Sequence, residues 1–317
     1  MTTTNATPHP TIEFPVTTLP DGATPALVGT WWNDGPFFQG TAEGPHQTEP
    51  GESIALKFPD HAVGQLAELA TQTDGLAGRV SYVEVVEGEV SDTDLAALSD
   101  LRVGRLVLGE GRRGTSFDDP GGLTIGDMST VHSLRSLDAN GGLTDHHLAS
   151  LGNRETLQVL TLDSIPVQAS TLTRFRFLYG LIVAGIEGFG DDLGFVRTMS
   201  SLRLLGIRFS DLTVDRLSAL GTDAGLEVLD VAYNPGFGPD LSELPCGDLT
   251  LLDISTTACD DTSLTTLDAP WLDELAAQCT GITDAGLAHL PGSLRKLNLA
   301  GDAISDEGLE SIAAQSR

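Results

Sequence analysis

The sequence predicts an α/β repeat protein, built from units of a short strand, a turn and a short helix. Three observations predict this class: apolar residues recur in a fixed frame, each unit opens with strand periodicity, and each closes with helix periodicity. The chain has 317 residues, of which 40% are hydrophobic, so it can build one extended core or two ordinary domains.

The frame is clearest near the C-terminus, where Leu294, Leu297, Leu299 and Ile304 occupy positions 1, 4, 6 and 11 of a unit. Nine further units open upstream, at Val80, Val103, Leu134, Leu157, Leu178, Leu202, Leu226, Leu249 and Leu272. From Leu134 onward, the starting points lie 21 to 24 residues apart. Such a period indicates a repeat architecture that covers most of the chain.

Each unit contains two periodicities. Positions 4 and 6 point the same way on an extended chain, so they predict the buried side of a strand. From position 11, apolar residues recur five and eight residues later, as Ile282, Leu287 and Leu290 do. The last two lie on one face of a helical turn. A Ser or Thr followed by Asp at the corner, at Thr283 and Ser305 for example, predicts a helix cap with an acidic first turn.

The combined pattern, L-x-x-L-x-L followed by I-[ST]-D-x-G-L-x-x-L, resembles the leucine-rich repeat, in particular its ribonuclease-inhibitor-like and F-box-associated types. It covers residues 80–312, about three quarters of the chain, in ten units. The resemblance implies a curved solenoid (a horseshoe), with a parallel β-sheet on the concave face and short helices on the convex face. Asn234, Thr257 and Thr280 fit position 9, where the family carries Asn or Cys.

The repeats divide the chain into three parts. Residues 80–317 form the predicted repeat domain. Residues 53–79 predict a strand (53–58) and a helix (60–71) that cap the open end of the core, as a solenoid requires. Residues 1–52, rich in Thr, Pro and Gly, are expected to be irregular. The aromatic residues of this segment, which could pack on the cap or dock elsewhere, are Trp31, Trp32, Phe37 and Phe38.

The residues that break the repeat pattern predict a binding surface. Positions 3, 5, 7 and 8 point away from the core. Phe209 and Tyr233 share position 8 of neighbouring units, beside Arg208, and such side chains are typical interface anchors. The predicted partner-binding site on the concave face consists of Ile182, Arg208, Phe209, Asp230, Tyr233, Asp253, Asp138 and Asp163, of which the four aspartates form an acidic row. The alternatives are ordinary solvated surface, the 109–122 loop with Arg112 and Arg113, the convex helices and the N-terminal segment.

Charge and composition limit the partners. The net charge of −28 disfavours nucleic acid and anionic membranes and favours basic proteins, although acidity that serves only solubility is the alternative. We find no signal peptide and no apolar run long enough to span a bilayer, so a cytoplasmic location is expected. Two lysines against 15 arginines suggest a bacterial gene rich in G and C.

The motifs that suggest chemistry are weak. Residues 109–114 match G-x-G-x-x-G, but no helix is predicted after the third glycine, so no dinucleotide site is expected. His146 and His147 are adjacent on a predicted helix and point about 100° apart, which disfavours a shared metal. Cys246, Cys259 and Cys279 fit neither a disulfide framework nor a zinc site. We therefore expect no cofactor, no metal and no enzymatic activity.

These observations predict a non-enzymatic protein-binding scaffold that uses the concave face, with a monomer favoured over a homodimer. Two alternatives are an inhibitor of a basic enzyme, which the likeness to the ribonuclease inhibitor implies, and a recruiting subunit of an enzyme complex.

Overall fold

The computed structural model describes residues 11–14, 26–32, 35–48, 52–109, 122–152, 154–186, 189, 193–221 and 224–315. The chain forms two compact halves, an N-terminal half (Met1–Leu157) and a C-terminal half (Gln158–Arg317).

The described part of the C-terminal half contains one strand from each of seven repeats. These strands are β11 (Val159–Asp163), β12 (Gly180–Ala184), β13 (Leu204–Arg208), β14 (Val228–Asp230), β15 (Leu251–Asp253), β16 (Glu274–Ala276) and β17 (Lys296–Asn298). Each pairs in parallel with the next along the chain, which is the order that a solenoid produces. The predicted fold class, a leucine-rich repeat solenoid with a parallel sheet and short helices, is confirmed.

The core of the C-terminal half follows the predicted frame. The residues at positions 4 and 6 are fully buried in five consecutive repeats, namely Leu181, Val183, Leu205, Ile207, Leu229, Val231, Leu252, Ile254, Leu275 and Ala277. Phe237 is fully buried in the core, although its repeat carries one residue more than the frame. The extra residue lies in the turn between the strand and Phe237. Burying this many large apolar side chains supplies the dominant stabilising free energy of folding, about 1.5–3 kcal/mol each.

The helices of the C-terminal half that lie between two strands are short, because each repeat leaves room for only one or two turns before the next strand. They are α4 (Ala169–Leu172), α5 (Val214–Leu217), α6 (Asp261–Thr266) and α7 (Asp306–Gln315), with 3-10 helices at Gly194–Thr198, Ser218–Leu220 and Gly286–His289. The helix predicted after Ile282 is therefore a 3-10 turn. A single turn gains little from the α-helical hydrogen-bond pattern, so tertiary packing chooses between the two forms.

The N-terminal half combines repeats with additional strands. Its described strands are β1 (Thr11–Phe14), β2 (Leu27–Trp32), β3 (Gly35–Thr41), β4 (Gly44–Gln47), β5 (Ile54–Phe58), β6 (Val80–Val85), β7 (Gly88–Val90), β8 (Arg105–Leu108), β9 (Leu123–Ile125) and β10 (Ser136–Asn140). In its main sheet β5, β6, β8 and β10 are parallel, whereas β2 and β3 extend the sheet in antiparallel fashion beyond β5. Residues 1–52, expected to be irregular, thus contain four strands in their described part. The helices are α1 (Gln65–Gln72), α2 (Asp92–Leu101) and α3 (Asp145–Ser150), with a 3-10 turn at Met128–Thr130.

One of the four N-terminal aromatic residues has a described packing partner. The ring of Phe38 lies 6.5 Å from that of Tyr82 and packs on Ala55 and Val107. Phe38 therefore contacts β5, the strand that the sequence predicted at 53–58. The helix predicted at 60–71 begins later, at Gln65, because Gly64 before it has a left-handed backbone (φ 83°) and His61 bridges to Gly88.

A buried carboxylate joins α1 to α2. Asp94, which is fully buried, accepts hydrogen bonds from the backbone amides of Gly64 (3.0 Å), Ala67 (2.9 Å) and Ser91 (3.0 Å). The His61 Nε2 atom lies 3.3 Å from Asp94 Oδ2. Asp94 thus binds unsatisfied amides at the first turn of α1 while it completes the capping box of α2 with Ser91.

The Ser/Thr–Asp residues at the corners between strand and helix also form hydrogen bonds between successive repeats. The Ser305 amide donates to Asp284 Oδ1 at 2.9 Å, and the Ser305 hydroxyl donates to the other carboxylate oxygen. A Cβ atom on Gly308 would overlap this carboxylate, which explains the glycine in the pattern. The aspartate of one repeat therefore accepts two hydrogen bonds from the Ser of the next repeat, an arrangement that we call the aspartate clasp. This motif stabilises the stacking of repeats rather than forming a reactive site.

Candidate functional site

The strand register of the C-terminal half places the predicted position 5 residues side by side. Ile182 pairs with Gly206, Gly206 with Asp230, and Asp230 with Asp253. Neighbouring strands lie about 4.8 Å apart, so these side chains form one row on the sheet face that points away from the core.

The residue at position 8, just beyond the strand, has a left-handed backbone in every repeat from Leu134 onward. The φ values are 100° at Gly141, 57° at Ser164, 64° at Gly185, 49° at Phe209, 63° at Tyr233, 56° at Thr256, 52° at Cys279 and 87° at Gly301. Glycine adopts this conformation without steric cost, whereas any other residue loses about 1–2 kcal/mol. Phe209 and Tyr233 therefore stand where the backbone favours glycine.

The rings of Phe209 and Tyr233 are stacked. Their centroids lie 4.3 Å apart and their planes differ by 13°. Tyr233 is 44% exposed and Phe209 is half-buried. Stacking contributes about 0.5–1.5 kcal/mol, which is less than the cost of two left-handed residues, about 2–4 kcal/mol. The pair thus adds little net stability and presents aromatic surface to solvent.

Asn234 holds the two turns that carry the stacked rings. Its side chain is fully buried. The Nδ2 atom donates to the Ile207 and Val231 carbonyls, at 2.7 and 2.8 Å, while Oδ1 accepts from the amides of Ser210 and Leu212, both at 3.0 Å. Because Ser210 follows Phe209 and Asn234 follows Tyr233, this network sets the relative position of the two rings. Asn234 fits the predicted position 9 of the repeat.

Arg208 and Asp230 form a partly buried ion pair across β13 and β14. Arg208 Nη2 donates to Asp230 Oδ2, and the Ala232 amide donates to Asp230 Oδ1 at 3.2 Å. The side chains are 30% and 12% exposed, so water screens this pair less than a surface pair. Asp230 neutralises the charge of Arg208 and fixes the position of its guanidinium. Arg208 immediately precedes Phe209 in the sequence.

Ile182 completes the apolar part of this surface. A Cβ atom on Gly206 would lie 3.2 Å from Ile182 Cγ2, so the glycine leaves room for isoleucine to lean over β13. We call Ile182, Arg208, Phe209, Asp230 and Tyr233 the strand-face patch. It joins an aliphatic side chain, a stacked aromatic pair and an arginine held by a carboxylate.

The remaining predicted aspartates of the C-terminal half each accept an internal hydrogen bond at one carboxylate oxygen. Asp253 Oδ1 accepts from the Ser255 amide at 2.9 Å. Asp163 is 7% exposed, and its Oδ1 accepts from the Ser164 hydroxyl at 3.2 Å. Asp163 also lies at position 7, on the row that continues through Ala184, whereas Asp253 lies at position 5. Only Asp230 and Asp253 are direct neighbours.

Asp138 belongs to a separate polar network in the N-terminal half. Arg105 donates to Asp138 Oδ2 from Nε at 2.8 Å, and its guanidinium lies 5.9 Å from the centre of the Tyr82 ring. The Tyr82 hydroxyl donates to Glu84 at 2.9 Å, and Lys57 donates to the same carboxylate at 2.7 Å. Burial, followed by the charge of Glu84, raises the pKa of Tyr82 well above its usual range.

This network is largely covered rather than open to a partner. Tyr82, Glu84 and Val107 are 6–7% exposed, although their positions 3 and 5 point away from the repeat core. Sequence reasoning missed Arg105, which stands at position 3, one diagonal step from Asp138 on the paired strands. Reading positions 3 and 5 together would have indicated this pair.

The other predicted features are described in part. Cys259 is a buried core residue as expected, and burial raises the pKa of its thiol. No group of three or more potential metal ligands occurs among the described residues. No helix within them is long and apolar enough to cross a membrane. The 109–122 loop lies almost entirely outside the described residues, and so do Arg112 and Arg113.

No family model matches the chain, and no curated protein matches it in sequence. Among solved structures, an internalin (InlF) from Listeria monocytogenes is similar, with a TM-score of 0.46 and 17% identity over 81% of this chain and 84% of that one. The TLR13–ssRNA13 complex matches with a TM-score of 0.48 and 16% identity over 74% of this chain. The match spans 38% of the TLR13 chain. The fold assignment rests on the geometry of the repeats themselves.

Proposed function

We propose that this chain is a non-enzymatic protein-binding scaffold and that it captures its partner through the strand-face patch. The observation that carries the proposal is the stacking of Phe209 on Tyr233 at two positions with left-handed backbone. Three of the eight equivalent positions carry glycine, so the architecture does not need a large side chain there.

The chemistry of the patch supports this role. Tyrosine and arginine are enriched among residues that dominate binding energy at protein interfaces. The Phe209–Tyr233 stack is already ordered in the free protein, so binding costs little side-chain entropy. The Arg208–Asp230 pair likewise fixes a guanidinium before any partner arrives.

The experiment is affinity capture from extracts of the source cells, with mass spectrometry of the retained proteins. We expect a protein that binds the native chain and is lost with the double variant Phe209→Ala/Tyr233→Ala. Alanine keeps the left-handed strain of both residues nearly unchanged, so the variant removes aromatic surface without relieving the backbone. Circular dichroism checks that the variant is folded.

Phe177→Ala is the matched control, because Phe177 is also an exposed aromatic residue (56%) but lies before β12, away from the patch. Capture should persist in this variant. If the double variant retains the same protein as the native chain, the strand-face patch is not the binding site.

The alternative, an inhibitor of a basic enzyme, is favoured by the net charge of −28. Its complex should weaken steeply with salt, whereas binding through the strand-face patch should depend on salt only weakly. The internal hydrogen bonds of Asp163 and Asp253 reduce what these carboxylates offer a cation. The ribonuclease-inhibitor-like or F-box-associated repeat type, the bacterial origin, the cytoplasmic location and the monomeric state expected from the sequence stay predictions.

A further inference from the structure

A second surface of the C-terminal half lies at the opposite ends of the strands, where each strand begins. Two rows of residues meet there, one immediately before position 1 and one at position 2 of successive repeats. The groove between them has a volume of about 870 Å³ and is lined by Arg203, Gly225, Glu227, Asp248, Thr250, Trp271, Asp273 and Arg295. We call it the strand-start groove.

Trp271 is the most exposed of the large hydrophobic side chains in the described part of the chain, at 67%. A solvated indole contributes nothing to the repeat core and leaves its aromatic face open to a ligand.

The charges of the groove are paired except for one carboxylate. Arg203 Nε lies 3.7 Å from Glu227 Oε1, and Arg295 Nε lies 3.3 Å from Asp273 Oδ1. Among the described residues, no ion pair or side-chain hydrogen bond engages Asp248. Two arginines and three carboxylates line the groove, so its net charge is one negative unit, carried by Asp248.

Asp248 and Trp271 are neighbours in space. Each immediately precedes position 1 of its repeat, and the two repeats pair in register through β15 and β16. Their backbones are therefore about one strand spacing apart, roughly 5 Å. On the other side of Asp248, the equivalent residue is Gly225, which has no side chain to fill the groove.

We propose that the strand-start groove binds an extended segment of a partner protein through one arginine or lysine side chain. The cation lies over the indole of Trp271 and forms an ion pair with Asp248. An aromatic face beside an unpaired carboxylate is complementary to such a side chain, and arginine suits both contacts. The groove crosses the repeats from Arg203 to Arg295, four strand spacings or about 19 Å, which matches about six extended residues.

This site does not depend on the strand-face patch, and the test keeps the two apart. The probe is a blocked peptide of six residues, Gly-Ser-Gly-Arg-Ser-Gly, titrated into the full chain in about 0.15 M salt, where long-range attraction to the acidic protein is screened. Binding is followed by NMR through the indole N–H signal of Trp271, which the variant Trp271→Phe identifies. We expect a saturable shift of this signal with the arginine peptide and none with a peptide that carries neutral citrulline instead.

Asp248→Asn should weaken binding about threefold to fivefold, since it removes one exposed ion pair. Asp215→Asn is the matched control, because Asp215 is an exposed aspartate on α5, and it should leave the affinity unchanged. Phe209→Ala should also leave it unchanged, whatever that variant does to partner capture. If the signal does not move, or moves equally with citrulline or in Asp248→Asn, the proposal is wrong.

Discussion

The carboxylate of Asp261 clasps Thr283 of the next repeat through two hydrogen bonds. The Thr283 amide donates to Oδ1 and the Thr283 hydroxyl donates to Oδ2, both at 2.7 Å. The same arrangement recurs between Asp284 and Ser305. These bonds join successive repeats at the corners where the strands give way to the helices.

Asp261→Ala should destabilise the protein by about 1–3 kcal/mol, because Thr283 loses both partners. Asp215→Ala is the control, since Asp215 also lies in the first turn of a helix. Asp215, like Asp261, interacts with the helix dipole, which contributes about 0.3–1 kcal/mol. No hydrogen bond from the next repeat to its carboxylate is described. Urea unfolding measures both, and equal losses would contradict the role of the clasp.

Gly286→Ala should act through the same carboxylate. A Cβ atom on Gly286 would overlap Asp261 Oδ1, so the carboxylate must move away from Thr283. The effects of Gly286→Ala and Asp261→Ala on the free energy of unfolding should therefore be less than additive, with a coupling of about 0.5–1 kcal/mol. Additive effects in this double-mutant cycle would show that the two residues act independently.

Asn234→Ala should be more destabilising, with a loss of about 3–5 kcal/mol, because the amides of Ser210 and Leu212 and two backbone carbonyls lose a buried partner. Asn298→Ala is the comparison, since Asn298 is exposed and its side chain has one described hydrogen bond, accepted from the Ala300 amide at 3.1 Å. We expect it to cost less than about 1.5 kcal/mol. Similar losses in chemical denaturation would refute the positioning role of Asn234.

Tyr233→Gly tests whether the aromatic stack serves stability. Glycine relieves the left-handed backbone by about 1 kcal/mol, while the lost stacking costs a similar amount, so we expect the free energy of unfolding to change by less than about 1 kcal/mol. Thr256→Gly has the same backbone geometry (φ 56°) and no stacked ring, and it should raise stability by up to about 1 kcal/mol. A loss of several kcal/mol in Tyr233→Gly would mean that the stack is structural.

The lowered pKa of Asp94 predicts how the free energy of unfolding depends on pH. Burial alone would raise its pKa, but the close contact with His61 and the hydrogen bonds from Ser91 and the Ala67 amide outweigh burial and hold the pKa well below its usual range. The folded state therefore binds this proton less readily than the unfolded chain, whose Asp has a pKa of about 3.9. The stabilisation is fully present above that pH and is lost as the pH falls towards the folded-state value. Asp94→Asn should remove part of the acid-induced drop in melting temperature, and an unchanged pH profile would contradict this.

The repeat frame was predictable because it depends on local periodicity. The 21–24-residue spacing of the leucines indicates which side chains enter the core and therefore where each strand lies. Helix type was less predictable, as the 3-10 turn at Gly286–His289 shows, because a single turn is decided by packing. The strands of residues 1–52 were missed because no repeat marks them, and antiparallel pairing with β5 involves a distant segment.

The sequence by itself determined that Phe209 and Tyr233 occupy equivalent positions in adjacent repeats, and hence that they are neighbours. Only the tertiary structure decided that Arg208 reaches diagonally to Asp230, that Arg105 holds Asp138 in the other half, and that Trp271 stands exposed beside Asp248. The physical reason is the distance along the chain over which each feature is determined. A repeat period fixes which backbones adjoin, whereas the direction of each side chain depends on left-handed turns and on neighbours more than 20 residues away along the chain.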